Sequence, residues 1–328
     1  MTTLAPRQGI ACAGNWIVDI VHSIDAWPQK SELVRIRHEA TGVGGGAANV
    51  ILDLAAFQTG LPLYAVGLIG TDTHADLCLA ACKAAKVDTR WLKQTATHPT
   101  AHTQVMNVPG DSRTFFYHPG ANDALAESDI PVEAIAAENA KIFYLGYPNL
   151  LATLDAVEPD GETPAARLLS RARAAGMITC VDLVSAANAD FAATVKATLP
   201  HADYLFLNEI EAARATNRAD IAPDDRARLL EAATALQAAG AKTVILHTGT
   251  LALWLEDAAL WSSPDPVDPA EILSPVGAGD AFCAGAIYAI HQGQGPAQAL
   301  RLGHKAAAAS LKGATATDGI PPLAVLNL

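Results

Sequence analysis

Three short, largely apolar segments, 177–181, 204–207 and 243–246, alternate with helical stretches, and this alternation narrows the possible folds most. Strands without a polar face are buried on both sides, so the pattern predicts a mostly parallel sheet covered by helices above and below. Further strands are expected at 9–13, 63–68 and 142–145, and helices at 47–57, 75–85, 164–175 and 224–239. Gly176 and Gly240 close the last two helices, as C-cap glycines do. In such a sheet ligands gather beyond the C-terminal ends of the strands. Asp182, Asn208, Glu211 and Thr248 follow strand ends directly, so the fold draws these distant polar residues to one edge.

Two stretches break the alternation. Residues 17–37 and 100–118 carry short runs of β-branched and aromatic residues, such as 104–108 and 114–117, with Pro109-Gly110-Asp111 reading as a hairpin turn. They are expected to form a small β-sheet lid, contributed by about 15–40 and 100–118, on a single domain spanning 1–328. Residues 158–164 read as a surface connection leading into a helix.

Composition excludes several classes. The 328 residues carry a net charge of −12, from 22 basic and 34 acidic side chains, which disfavours nucleic acid and anionic membranes as partners. No segment has the length and apolarity of a membrane span, and no secretory signal is visible at the start. The five cysteines lie in apolar or helical contexts and read as reduced, buried thiols, which points to the cytoplasm. Cys78 and Cys82, and likewise His98 and His102, are four apart without the partners a zinc site needs, and read as structural.

Two glycine-rich clusters carry the chemistry. In Gly277-Ala278-Gly279-Asp280 the glycines allow a tight turn, and the apolar run that follows reads as a helix. Backbone N–H groups at such a helix start suit an anion. A carboxylate beside a merely bound anion would repel it; beside a reacting phosphoryl group, Asp280 can take the proton of the attacking hydroxyl. On those four residues alone, an ordinary glycine turn with a first-turn acid is the plainer reading. The second cluster runs from Gly42 to Asn49 and includes Gly44, Gly45 and Gly46. It is similar to a dinucleotide fingerprint, but no acid occurs between Asp53 and Asp72, and the preceding 35–40 is charged and makes a poor strand. A bare backbone approaching a polar small molecule, with Asn49 donating and accepting, fits better. Asp19, inside an apolar stretch, needs a partner: a polyhydroxylated ligand, or a core salt bridge.

Taken in order, Gly14 to Asp19, Gly44-Gly45 with Asn49, 67–72, Gly120-Ala121-Asn122, Asn208-Glu209-Ile210-Glu211 and 277–282 resemble the ribokinase-like (PfkB) family of carbohydrate and nucleoside kinases over nearly the whole chain. The resemblance implies an α/β fold with a central, mostly parallel sheet flanked by helices and a small β-sheet lid. It implies ATP-dependent phosphorylation of a sugar-like hydroxyl with Mg²⁺. Asp280 falls on the family's base, and Gly277, Ala278 and Gly279 fall on its anion hole. Asp19, Gly44, Gly45 and Asn49 fall on acceptor-binding positions. Asn208 and Glu211 match the motif that organises Mg²⁺ through its water shell. Thr248 and Gly249 lie at the nucleotide-binding strand end. A homodimer through the lid is also implied.

Departures from the family pattern matter. Ser274-Pro275-Val276 replaces a stretch that carries a carboxylate and helps form a monovalent-cation site, so potassium activation is left open. His247 stands first in the strand-end motif, His304 stands where several members have Asn near the adenine, and Gly46 stands where ribokinases tend to carry Lys. A P-loop is absent from the sequence. A small-molecule kinase acting on a sugar is the leading reading. A nucleoside kinase, with Phe116 or Tyr117 stacking on a base, and a non-catalytic sugar- or nucleotide-binding regulator are the alternatives. A sugar phosphate is disfavoured, since no basic cluster stands near the lid and its obvious candidates, Arg35 and Arg113, are explained by hairpin-surface roles.

Overall fold

The computed structural model describes residues 7–108, 114–186 and 190–326. Its strands are β1 (Gly9–Gly14), β2 (Ile17–Ile24), β3 (Ile36–Gly44), β4 (Leu63–Ile69), β5 (Asp88–Gln94), β6 (Ala101–Asn107), β7 (Thr114–His118), β8 (Ala140–Gly146), β9 (Ile178–Asp182), β10 (Tyr204–Leu207), β11 (Thr243–His247), β12 (Ala252–Leu255) and β13 (Ala259–Ser262). Its helices are α1 (Gly46–Ala56), α2 (Thr73–Ala84), α3 (Ala121–Ala124), α4 (Val132–Ala137), α5 (Ala152–Asp155), α6 (Pro164–Ala174), α7 (Phe191–Thr198), α8 (Glu209–Ala215), α9 (Arg226–Ala238), α10 (Ala278–His291) and α11 (Pro296–Ser310).

Nine strands make the central sheet in the order β13-β12-β11-β10-β9-β8-β1-β4-β5. Pairing is parallel from β5 through β11, as the apolar runs require, and β12 and β13 close one edge as an antiparallel hairpin. Each buried strand splits its side chains between two cores, because successive residues point to opposite faces. Ala11, Phe143, Val181 and Leu205 enter the core on one face. Ile10, Cys12, Tyr144, Cys180 and Phe206 enter the other, under α1 and α10. All five cysteines are free and buried. Among the described residues no helix is long and apolar enough to cross a membrane.

The second sheet has the order β3-β2-β6-β7, with β2 and β6 parallel and the outer pairs antiparallel. Here one expectation is corrected. The charged run at 35–40 does belong to a strand, β3, which leads straight into the glycines. It is charged because it pairs in this exposed sheet and not in the buried one. At the other edge, neighbouring residues of β7 point to opposite faces, yet Phe115 is 55% and Phe116 54% exposed. The expected turn at Pro109-Gly110-Asp111, together with Arg113, lies outside the described residues.

Candidate active site

The turn into α10 is built on Gly277, whose φ of 80° is left-handed and whose Cα faces the Ala316 carbonyl so closely that no side chain fits. The helix then starts at Ala278, and the N–H groups of its first turn have no carbonyl four residues back to bond. Asp280 sits in this first turn, 5% exposed. The Tyr147 phenol donates to both of its carboxylate oxygens, at 2.7 Å and 2.8 Å, and Asn49 Nδ2 donates to Oδ2 at 2.9 Å. Burial pushes the Asp280 carboxyl up to about 6, with the Asp19 charge acting in the same direction; the hydrogen bonds from Tyr147 and Asn49 oppose the rise.

Asp19 reaches Asp280 from the second sheet. It pairs with Gly42 on β3 and Thr103 on β6, and its carboxylate lies directly against Gly44, where any Cβ would strike it. Burial lifts Asp19 to about 6, partly offset by a hydrogen bond with Thr103. It lines a cavity of about 200 Å³ together with His38, Val43, Asn107 and Ala316. Gly45 caps α1, with a φ of 95°. One turn into that helix Asn49 turns its Nδ2 to Asp280, while its Oδ1 is buried with no hydrogen-bond partner. The core salt bridge considered for Asp19 does not form among the described residues.

Asn208 and Glu211 form a capping box at the start of α8. Asn208 Oδ1 accepts from the Glu211 N–H at 2.9 Å, and Glu211 Oε2 accepts from the Asn208 N–H at 2.8 Å. Asn208 Nδ2 and Ser185 Oγ complete Glu211 at 2.8 Å and 2.9 Å. Burial nevertheless raises Glu211 to about 7. Among the described residues no three His, Cys, Asp or Glu side chains converge to hold a metal ion directly.

Thr248 and Gly249 turn the chain after β11. Thr248 Oγ1 donates to the Pro223 carbonyl at 2.9 Å, and open space surrounds the Gly249 Cα. The preceding His247 approaches Gly279, where a Cβ would stand 3.1 Å from its ring. His247, Phe282 and His304 then pack in a row, with ring centroids 4.9 Å and 5.3 Å apart. The row ends at a cavity of about 350 Å³ lined by Trp261, Ser262, Asp265, Arg301 and His304. His304 Nε2 is buried there without a partner. Burial lowers both histidines, His247 to about 4, so both rings are neutral near pH 7.

Two residues at this site, Tyr147 and Asp53, were not among the expected ones, and a third, Asp182, was expected only from its place at a strand end. Tyr147 lies just past β8, at a positive φ of 57°. Its ring packs on Gly46, whose Cα leaves no room for a side chain: an added Cβ would be 2.7 Å from the ring. Asp53 lies on α1 one turn beyond Asn49, is 0% exposed, and neither of its carboxylate oxygens has a partner. Burial, reinforced by the Asp280 charge, raises it well above the ordinary carboxylate range. Asp182, at the end of β9, accepts from the Tyr144 phenol at 2.9 Å and is raised by burial and by the charges of Asp280 and Glu211. The strand-end rule had flagged Asp182, and the four-residue step from Asn49 is a helical-face signal for Asp53. Tyr147 carried no signal beyond its place after a strand.

A family model described as pfkB family carbohydrate kinase matches residues 8–322. Among solved structures the chain is similar to Arabidopsis thaliana ribokinase complexed with ribose and ATP, at 21% identity and a TM-score of 0.79, covering 98% of each chain. It is similar to the nucleoside kinase of Methanocaldococcus jannaschii at 16% identity and a TM-score of 0.73, again covering 98% of each chain. It is also similar to the aminoimidazole riboside kinase of Salmonella enterica, complexed with aminoimidazole riboside and an ATP analog. That match has 18% identity and a TM-score of 0.74, covering 97% of this chain and 98% of that one.

Proposed function

The chain belongs to the pfkB family of carbohydrate kinases, phosphotransferases with an alcohol acceptor, and from that premise we propose that it phosphorylates a sugar or sugar-like compound with ATP. The observation that carries the reading is the state of Asp280. It is a buried carboxylate in the first turn of a helix, beside a left-handed glycine, bracketed by two donors and poised near pH 6. A group whose pKa lies close to the working pH suits general base catalysis.

In this reading the acceptor oxygen forms a bond to the γ-phosphorus, the bond from that phosphorus to the bridging oxygen of ADP breaks, and the acceptor proton passes to Asp280. Backbone N–H groups at Gly277, Ala278 and Gly279 face the charge that develops on the transferring group. Asp19 and Asn49 hold acceptor hydroxyls over the bare Gly44-Gly45 backbone; the unpartnered Asn49 Oδ1 supports this. Asn208, Thr248, Gly249 and His304 bind the nucleotide. The cavity beside His304, with Trp261 and Arg301 at its wall and an unpartnered His304 Nε2, supports this. The Glu211 carboxylate already accepts three hydrogen bonds, which fits contact with Mg²⁺ through water and not direct ligation. When bound, Mg²⁺ supplies the positive charge that lets polyphosphate approach this acidic floor.

Asp19, Asp53, Asp182, Glu211 and Asp280 act on one another across the site, which supports an uncharged acceptor over a sugar phosphate. The second sheet serves as the lid. Its open edge strands, with Ile36, Phe115 and Phe116 exposed, support a homodimer formed through it.

The test is Mg²⁺-dependent ADP release across monosaccharides, polyols, sugar phosphates and nucleosides, with Asp280→Asn in parallel. Turnover with uncharged sugars, lowered about 10²–10⁴-fold in the variant, is the expected result. Near-normal turnover of Asp280→Asn removes the base assignment. No stimulation by any compound favours a binding protein on this fold.

A further inference from the structure

We propose that Tyr147 is a positioning residue for the transfer step: its phenol aims the Asp280 carboxylate and keeps it ready to accept the acceptor's proton. The inference rests on the reading of Asp280 as the base. It begins from an imbalance around that carboxylate. Asp19 on β2, Asp53 on α1, Tyr144 on β8, Asp182 on β9, Glu211 on α8 and Cys283 on α10 are the titratable groups in electrostatic contact with it. Each is an acid, and negative charge on any of them disfavours an ionised Asp280. Burial acts in the same sense. Against these stand the hydrogen bonds of Tyr147 and Asn49 and one from the backbone at Asp280 itself.

Tyr147 is the strongest opposing group, and its geometry is specific. One phenol proton is shared between both carboxylate oxygens, at 2.7 Å and 2.8 Å, which fixes the plane of the carboxylate. A carboxylate has about four acceptor positions. The phenol proton, Asn49 on Oδ2 and the Asp280 backbone N–H occupy three of them, so room is left for one more hydroxyl, the acceptor's. The phenol keeps its own proton, because burial and the Asp280 charge hold it well above the ordinary tyrosine range.

The surrounding chain is shaped for this ring. Gly46 gives up its side-chain space to the ring: a Cβ there would lie 2.7–2.9 Å from three of its carbons. Gly146, immediately before Tyr147, is equally close to the α1 backbone, with a Cβ 2.7 Å from the Ala47 nitrogen. The left-handed backbone at Tyr147 is uncommon for a bulky residue and costs energy. Two glycines and a strained dihedral therefore serve to bring one phenol to one carboxylate.

The test follows Asp280 itself and needs no knowledge of the natural acceptor. The full chain is labelled with aspartate carrying ¹³C at the side-chain carboxyl, and the Asp280 signal is identified by its loss in Asp280→Asn. In the unmodified protein it should titrate near 6. In Tyr147→Phe, which keeps the ring on Gly46, the midpoint should rise by about one pH unit, a roughly tenfold gain in proton affinity. The acid limb of kcat/KM, measured with the best compound of the acceptor panel, should move up by the same amount, with KM for ATP unchanged. Gly46→Ala, which displaces the ring without removing the phenol, should raise the midpoint too and serves if Tyr147→Phe does not fold.

A purely structural Tyr147 would lower the melting temperature and leave the midpoint where it was; that result overturns the proposal. So does an equal rise in Tyr144→Phe, whose phenol serves Asp182. An unmoved midpoint with Asp280→Asn inactive removes the Tyr147 role alone. A raised midpoint with Asp280→Asn active upholds the contact and instead removes the base.

Discussion

The floor of the site and the outer face of the second sheet treat polar and apolar groups in opposite ways. On the floor, carboxylates are buried: Asp53 lies on α1 with neither oxygen partnered, and Asp280 is held by two donors from other parts of the chain. On the second sheet, large aromatic side chains are exposed at β7, while charged groups such as Arg37 and Asp25 pair in full solvent, where such pairs stabilise little. Each arrangement looks wrong by the rules of stability alone. In the proposed reading the floor gives up stability to hold reactive carboxylates, and the sheet keeps apolar surface open for a second copy of the chain. Violations of local rules concentrate where a protein works.

Changes at the floor should test this contrast most severely. Gly277→Ala puts a methyl group against the Ala316 carbonyl in a left-handed backbone. Turnover should fall about 100-fold, with a stability loss of about 1–2 kcal/mol. Steady-state kinetics and denaturant unfolding on the same preparation check both. A lost stability with turnover retained would make this turn a scaffold and not an anion hole.

Asp53→Asn should move stability the other way. A carboxyl raised in the folded state favours folding below its unfolded pKa, and that benefit is lost as pH rises towards the folded value. The variant's gain should therefore be close to nothing near pH 4 and grow to about 1–3 kcal/mol at pH 8. Melting temperatures across that range read it directly. A gain independent of pH would mean that packing, and not charge, sets the strain at this position.

The smallest effect is expected on the other side of the comparison. Phe116→Ser should alter the stability of the single chain by no more than about 0.5 kcal/mol, because the ring is 54% exposed. Light scattering should find the unmodified chain dimeric and the variant shifted towards monomer. A monomeric unmodified chain would remove the proposed use of this surface.

The sequence made the buried centre legible because β1 and β4 are wholly buried, as is β8 from Ile142 onward, and such segments are apolar. The edges were harder. β5, Asp88–Gln94, is polar because one side meets solvent, and the hairpin of β12 and β13 departs from the parallel rule that the other strands follow. α11 went unread although Gly295-Pro296 is a serviceable helix start. At the site, residue types in glycine turns and at strand ends could be picked out one by one. Their gathering at one sheet edge could be expected, but their pairings could not: nothing local in Asn49 shows that its amide faces Asp280, and nothing in Gly46 shows that it clears space for Tyr147.

The hydrogen bond between Asn49 and Asp280 joins residues 231 positions apart. A ribosome producing this chain completes β2, β3 and α1 long before α10, the helix that carries Asp280. Until that helix emerges, the nascent polypeptide has most of the central sheet in hand but neither Asp280 nor the Gly277 turn. In the proposed reading the site is therefore assembled only once α10 has been made and has docked against α1.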